Sequence, residues 1–253
     1  MVKIYMGFRQ KLNFAQKTCL GRCGKLMQQT RMIHPGARVG IALSGGVDSW
    51  TMTQVLLLRQ RIVPFKFEIM ILHVNPGFKP DNHLPLLNWL NESGISAHIE
   101  TTGIGPRAHQ PENTKSPCFI CSWQRRKILF NLCRKYNLTH LAFGHNSDDL
   151  AATFFMNLTQ TGKVDGLSAR ESFFKGKLTV IRPLLMVEKK YIKNAARKWM
   201  LPVWENPCPS ASSSKRGQVE DILDLIYQKN KIYRKNILSG LKRWQLDLHL
   251  QIK

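Results

Sequence analysis

Three residue clusters in this 253-residue chain have the types and spacing to do chemistry. The first is Ser44-Gly45-Gly46-Val47-Asp48-Ser49, which follows an apolar run, Arg38–Leu43, and opens a helical pattern. Two glycines let the backbone turn sharply and approach a ligand closely. Successive N–H groups and the helix N-terminus then make an anion cradle, to which Ser44 and Ser49 add hydroxyl donors. Asp48 would repel phosphate unless a cation such as Mg2+ intervenes, so a metal nucleotide is the expected ligand. The string is neither a lysine-bearing Walker loop nor a GxGxxG turn. Its bland alternative is a purely structural strand-to-helix turn.

The second cluster begins at Ser116-Pro117-Cys118-Phe119-Ile120-Cys121. Ser116 suits an N-cap and Pro117 the first helical position, which puts Cys118 and Cys121 one above the other in the first turns. The helix N-terminus and the cations Arg125, Arg126 and Lys127 favour thiolates or an anionic cluster there. A CxxC supplies only two of the four ligands of structural zinc. Cys208, in Glu205-Asn206-Pro207-Cys208-Pro209-Ser210, is a third candidate, held extended by its flanking prolines. Three cysteines can hold a 4Fe-4S cluster and leave one iron open for chemistry. The competing readings are zinc completed by Cys133 or a histidine, a dithiol or persulfide without a cluster, and inert thiols. Cys133 lies beside Leu129 and Leu132 and reads as core packing, and Cys19 and Cys23 form an isolated CxxxC. Six cysteines in a long chain without an export signal read as reduced thiols.

The third cluster, Gly144-His145-Asn146-Ser147-Asp148-Asp149, follows the apolar stretch His140–Gly144. Gly144 permits close backbone approach at the carboxyl edge of a sheet, where open α/β folds bind ligands. The plain alternative is capping, with Ser147 as N-cap and the two aspartates complementing the helix dipole.

On these residues the chain resembles a known group. Ser44–Ser49 is similar to the pyrophosphatase loop (PP-loop) of the N-type ATP pyrophosphatases. The loop, the CxxC and the lone distal cysteine together resemble the tRNA 2-thiocytidine synthetase (tRNA-cytidine 2-sulfurtransferase) family and its 2-thiouridine-forming cousins. The resemblance spans about residues 36–225 and includes Val180-Ile181-Arg182-Pro183-Leu184. It implies a five-stranded parallel sheet of the HUP type and adenylation of a base carbonyl in tRNA, followed by replacement of oxygen with sulfur. It also implies ATP contacts at Ala42, Ser44, Gly45, Gly46, Asp48, Ser49, His73, Arg125, Gly144 and Asp149. His73 alone could equally be plain packing. A 4Fe-4S cluster would sit on Cys118, Cys121 and Cys208, with Asp48, Cys118 and Cys208 acting in catalysis. ATP, Mg2+, tRNA and a sulfur donor (inorganic sulfide or a cysteine desulfurase persulfide) are the implied cofactors and partners, and a homodimer is common in the family. Two departures stand out: Val47 where such proteins usually carry Lys, and Ala152 where they carry Glu. Two other functions compete: a lysidine-synthetase-like enzyme using a non-sulfur nucleophile, and a basic RNA-binding protein with a vestigial nucleotide site.

The elements that must position these clusters alternate along the chain. Apolar β-rich runs at Arg38–Leu43, Glu68–Val74, Ile95–Glu100, His140–Gly144 and Leu178–Arg182 read as strands. Helical patterns fall at Asp48–Gln60, Asp81–Glu92, Pro117–Tyr136, Ser147–Leu158 and Glu188–Met200. Such alternation predicts an α/β fold, a doubly wound parallel sheet covered on both faces. The expected division is a basic helical lead-in over 1–36, the catalytic domain over 37–225 and a basic helical tail over 226–253. The first 47 residues hold eight Lys or Arg and no acid, as transit peptides do. The motif at Ser44 follows so soon, however, that cleavage would leave almost no lead-in. The longest stretch without Asp, Glu, Lys or Arg, Leu150–Gly162, is shorter than the ~18 apolar residues of a membrane span. A formal net charge of +22 calls for a polyanionic partner, and nucleic acid in the cytoplasm is the commonest.

Overall fold

A computed structural model of the chain describes residues 11–205, 207–210 and 215–250. Residues 1–10 of the expected lead-in and 251–253 of the tail therefore lie outside the described residues. Helix α1 (Phe14–Gln29) leads into β1 (Arg38–Ala42), α2 (Val47–Ile62), β2 (Glu68–Asn75), α3 (Leu84–Ser93) and β3 (Ala97–Thr101). The short α4 (Ile104–Ala108), α5 (Pro117–Lys135), β4 (His140–Ala142) and α6 (Ser147–Thr161) follow. β5 (Arg170–Phe173), β6 (Leu178–Ile181), α7 (Lys189–Lys198), α8 (Lys215–Lys229) and α9 (Lys231–Leu250) complete the order.

The strands form one sheet in the order β3-β2-β1-β4-β6-β5. All pairs are parallel except β5 with β6. The five expected strands are present, and a sixth corrects the count. β5 escapes hydropathy reading because Arg170, Glu171 and Ser172 are exposed, so the strand carries no apolar run. It is held by tertiary contacts instead. The buried Arg182 guanidinium donates to the Ser168 carbonyl at 2.6 Å and to Glu171 at 3.4 Å.

β1 lies in the middle of the sheet, paired with β2 on one side and β4 on the other. From it the chain winds outward through β2 and β3, then returns to place β4 on its other side. The crevice between the carboxyl ends of β1 and β4 is thus the point where strand order reverses, the ligand-binding position of open α/β sheets. Central strand residues Val39, Ile41 and Leu141 are fully buried, as strands covered on both faces require.

The basic lead-in contributes to the same core. Cys19, Cys23, Leu26 and Met27 of α1 are buried with β1 and α2 residues. Gly24 faces the Arg59 guanidinium, where a Cβ would collide, and Arg59 donates to the Leu20 carbonyl. Burial pushes the thiols of Cys19, Cys23 and Cys133 up to about 12, so they pack as neutral groups. No helix among the described residues is long and apolar enough to cross a membrane.

Buried histidines set an acid limit. Burial holds His73 and His140 down at about 4, against an ordinary 6.5. The unfolded chain binds these protons below about pH 6.5 and the native chain does not, so stability is complete above that value and falls with pH. We expect chemical denaturation midpoints to drop between pH 6.5 and 4, by on the order of 2 kcal/mol per buried histidine. A flat profile over that range would contradict the burial.

Candidate active site

The loop after β1 is shaped by its own hydroxyls. Ser49 Oγ donates to the Gly46 carbonyl at 2.8 Å and accepts from the Ser44 amide at 3.2 Å. Gly45 has φ +94°, a left-handed conformation, and a Cβ there would run into the Trp204 ring. The Trp204 amide donates to the Gly45 carbonyl at 3.1 Å, so the segment before Cys208 lies over this loop. On the facing strand, a Cβ on Gly144 would stand 2.9 Å from the Ser49 nitrogen and 3.0 Å from the Asp48 carbonyl carbon. Only glycine lets the end of β4 meet the first turn of α2.

Between them lies a cavity of about 270 Å³. Ala42, Ser44, Asp48, Ser49, Arg125, Gly144 and Asp149 all line it, with Arg126 and His145. His73 is outside this lining. It is buried, with its ring edge on Trp204 and Nδ1 2.7 Å from the Leu43 carbonyl, and Nε2 has no partner. Gly45 and Gly46 are likewise not among the lining residues and act through backbone shape.

The acids of the site are each met by a cation from the C-terminal elements. Lys189 Nζ binds Asp48, Arg216 binds Asp149 and Arg234 binds Asp148. Asn146 joins the two helix starts. Its Nδ2 donates to Asp48 Oδ1 at 3.0 Å, while its Oδ1 accepts from the amides of Asp148 and Asp149. Asn146, not Ser147, is the N-cap of α6, and Asp149 returns the bond to its backbone amide at 2.8 Å. The Asn-x-x-Asp spacing carried that signal in the sequence. The partnerships of Lys189, Arg216 and Arg234 had no sequence signal, being long-range. Burial pushes Asp149 above the ordinary carboxyl range, and Arg216 works against that shift. His145 is pushed down to about 3 by burial, then by Arg182, Arg216 and Arg126, and so faces the cavity as a neutral ring.

Cys118 and Cys121 stand at the start of α5, and Cys208 acts electrostatically on Cys121. The Ser116 side chain caps α5 by accepting from the Phe119 amide at 3.4 Å; Cys118 is exposed and Cys121 half-buried. Burial raises the Cys121 thiol, Arg125 lowers it, and Cys208 and Cys118 each raise it again. Cys208 therefore stands within electrostatic reach of the CxxC although it lies 87 positions beyond Cys121 in the chain. His109 Nε2, 2.8 Å from Ser210 Oγ, helps anchor the Cys208 segment there. Arg125 lines the cavity and also acts on Cys121, so the thiols and the cavity are neighbours. Cysteines within electrostatic reach of one another, beside a cation and a helix N-terminus, fit a metal centre that would bind them as thiolates. Among the described residues, no three ligating side chains already stand close enough to hold a metal ion.

A parallel sheet with a Ser/Gly/Asp loop at its switch point defines an α/β protein of the pyrophosphatase-loop class. Comparison with known proteins agrees. A PP-loop domain model matches residues 18–219. A tRNA-cytidine(32) 2-sulfurtransferase of Francisella tularensis is 32% identical over 237 residues, covering 91% of this chain and 86% of the relative. One of Geobacter sulfurreducens is 30% identical over 249 residues, covering 94% and 96%. Among solved structures, the U34-tRNA thiolase NcsA from Methanococcus maripaludis with its 4Fe-4S cluster superposes with a TM-score of 0.71 at 23% identity, covering 100% of this chain and 89% of that one. The chain belongs to the PP-loop family.

Asn146→Ala removes the α6 cap and the link to Asp48 together. It should cost about 1–2 kcal/mol in urea denaturation. Gly144→Ala should cost at least as much, because its neighbours are backbone atoms that cannot step aside. Wild-type midpoints for both variants would refute the apposition.

Proposed function

We propose that the chain is an ATP-dependent tRNA sulfurtransferase that adenylates a base carbonyl, of cytidine in the first instance, and replaces its oxygen with sulfur. The names of its sequence relatives support the reaction class. One observation carries the reading furthest: Arg125 is shared between the loop cavity and the thiol of Cys121, which in turn senses Cys118 and Cys208. Activation and sulfur delivery must meet at one carbon, and the sharing of Arg125 supports a reading in which the two occur side by side.

In this reading ATP lies in the cavity with its phosphates toward Ser44–Ser49. The Gly45 and Gly46 amides and the N-terminus of α2 bind the departing pyrophosphate, and Ser44 and Ser49 orient it. Asp48 and Asp149 would hold Mg2+, which would screen phosphate charge; Lys189 and Arg216 position the two carboxylates until the metal nucleotide arrives. Arg125 and Arg126 face the α-phosphate, where charge builds as the base oxygen attacks phosphorus. His145 stays neutral and donates or accepts without adding charge. Sulfur then attacks the activated carbon and AMP leaves with the former base oxygen. Cys118, Cys121 and Cys208 would hold a 4Fe-4S cluster, which would supply an iron without a protein ligand to bind the incoming sulfur. The target base leaves its stack to enter, at a cost of a few kcal/mol offset by contacts to the RNA backbone. Val47 leaves the loop without a lysine of its own, and Lys189 is the cation nearest Asp48. The sulfur donor is inorganic sulfide or a cysteine desulfurase persulfide, the enzyme works in the cytoplasm, and it pairs as a homodimer.

Mass spectrometry of tRNA nucleosides from cells lacking the protein should show the loss of one thiolated base; if none disappears, the assignment fails. Anaerobically purified protein should be brown and lose its colour in Cys118→Ala and Cys208→Ala. A colourless wild type that still thiolates would move the sulfur to a cysteine persulfide. Asp48→Asn should lower AMP release by roughly 10²-fold or more while leaving the colour intact.

A further inference from the structure

A second and larger cavity, of about 610 Å³, opens between α1, the start of α7 and α9. Seven basic side chains line it against a single acid, Glu188. Arg22, Lys190 and Arg234 all share that one carboxylate. Burial would push Glu188 up, but Lys190 and Arg22 outweigh it and hold the group below its ordinary range. Lys25, Lys231, Lys235 and Lys242 have no ion-pair partner among the described residues. The floor is apolar, from Leu26, Leu150 and Leu238, so the ammonium groups stand over a low-dielectric surface that strengthens their field.

We infer that this cavity is where the RNA backbone docks, an inference that rests on the proposed tRNA activity and gives it a surface. Three features favour a chain of phosphates over a single small anion. The unpaired lysines are spread over two helices, Lys25 on α1 and Lys231, Lys235 and Lys242 on α9, as separate point charges. The excess charge is unneutralised, as a phosphodiester backbone with one charge per nucleotide requires. The cavity also reaches the other site, because Ser147 lines it and Arg234 bridges from it to Asp148, one residue before Asp149 of the nucleotide cavity. RNA held here presents its neighbouring nucleotides to the start of α6. The basic lead-in thus acts as one wall of the substrate surface through Arg22 and Lys25, and the C-terminal helix as the other.

The test is tRNA binding by the full-length protein, followed by fluorescence anisotropy as salt is varied. Lys25→Glu/Lys231→Glu/Lys235→Glu should lose about 10²-fold in affinity, with the slope of log K against log salt shallower by about three. A control of equal charge change, Lys135→Glu/Lys175→Glu/Lys177→Glu, should bind nearly as wild type, and both variants should keep wild-type circular dichroism and ATP binding. If the first variant keeps wild-type affinity and salt slope, or if both lose affinity alike, the surface is wrong. Competition by poly-glutamate as strong as by tRNA would also overturn it, since the cavity would then take any polyanion. Cavity-dependent tRNA binding without any sulfur transfer would sustain the surface and remove the proposed reaction instead.

Discussion

The constraint on which the rest of the structure depends is the meeting of two helix starts across the β1/β4 crevice. The end of β4 touches the first turn of α2 through Gly144, and Asn146 spans from the cap of α6 to Asp48. Two positive helix ends and three carboxylates are thereby gathered in one small volume. Such a concentration of carboxylates is unstable unless cations come to it, and Lys189, Arg216 and Arg234 do so from three separate C-terminal helices. The apposition therefore organises more than a pocket. It also ties the three C-terminal helices to the helices that flank the sheet.

Those contacts link the loop cavity to the basic cavity and to the cysteines. Arg234 belongs both to the acid cluster and to the basic cavity, and Arg125 belongs both to the loop cavity and to the surroundings of Cys121. A nucleotide with its metal would compete with the same cations that now satisfy the aspartates. Trp204 adds a third link, because it covers Gly45 while preceding Cys208 by only a few residues in the chain. Anything that moves the loop must also move the segment carrying the distal thiol.

Much of the fold was legible locally. Strands β1, β2, β3, β4 and β6 are apolar runs of β-rich composition, and their helices fall near the periodic stretches between them. Edge strand β5 was not legible, since its polar residues satisfy no hydropathy template and depend on Arg182 and β6 for their place. The five-residue α4 is too short for a helical period to show. The loop residues, the CxxC and the Gly/Asp cluster announced themselves by glycine, cysteine and carboxylate spacing. The cap at Asn146 is readable from its box with Asp149, one residue before the Ser147 that cap preference alone suggests.

By itself the sequence determined which side chains are present for chemistry and which short segments turn, cap or extend, because those properties follow from each residue's own sterics and its near neighbours. It also determined the charge excess, which no conformation alters. Only the tertiary structure decided which cations neutralise Asp48, Asp148 and Asp149, that α1 is a wall of the core and of a basic cavity, and that Cys208 approaches Cys121. Each of these joins residues tens to hundreds of positions apart. Their proximity comes from the winding of the sheet about its switch point, and no local periodicity encodes that.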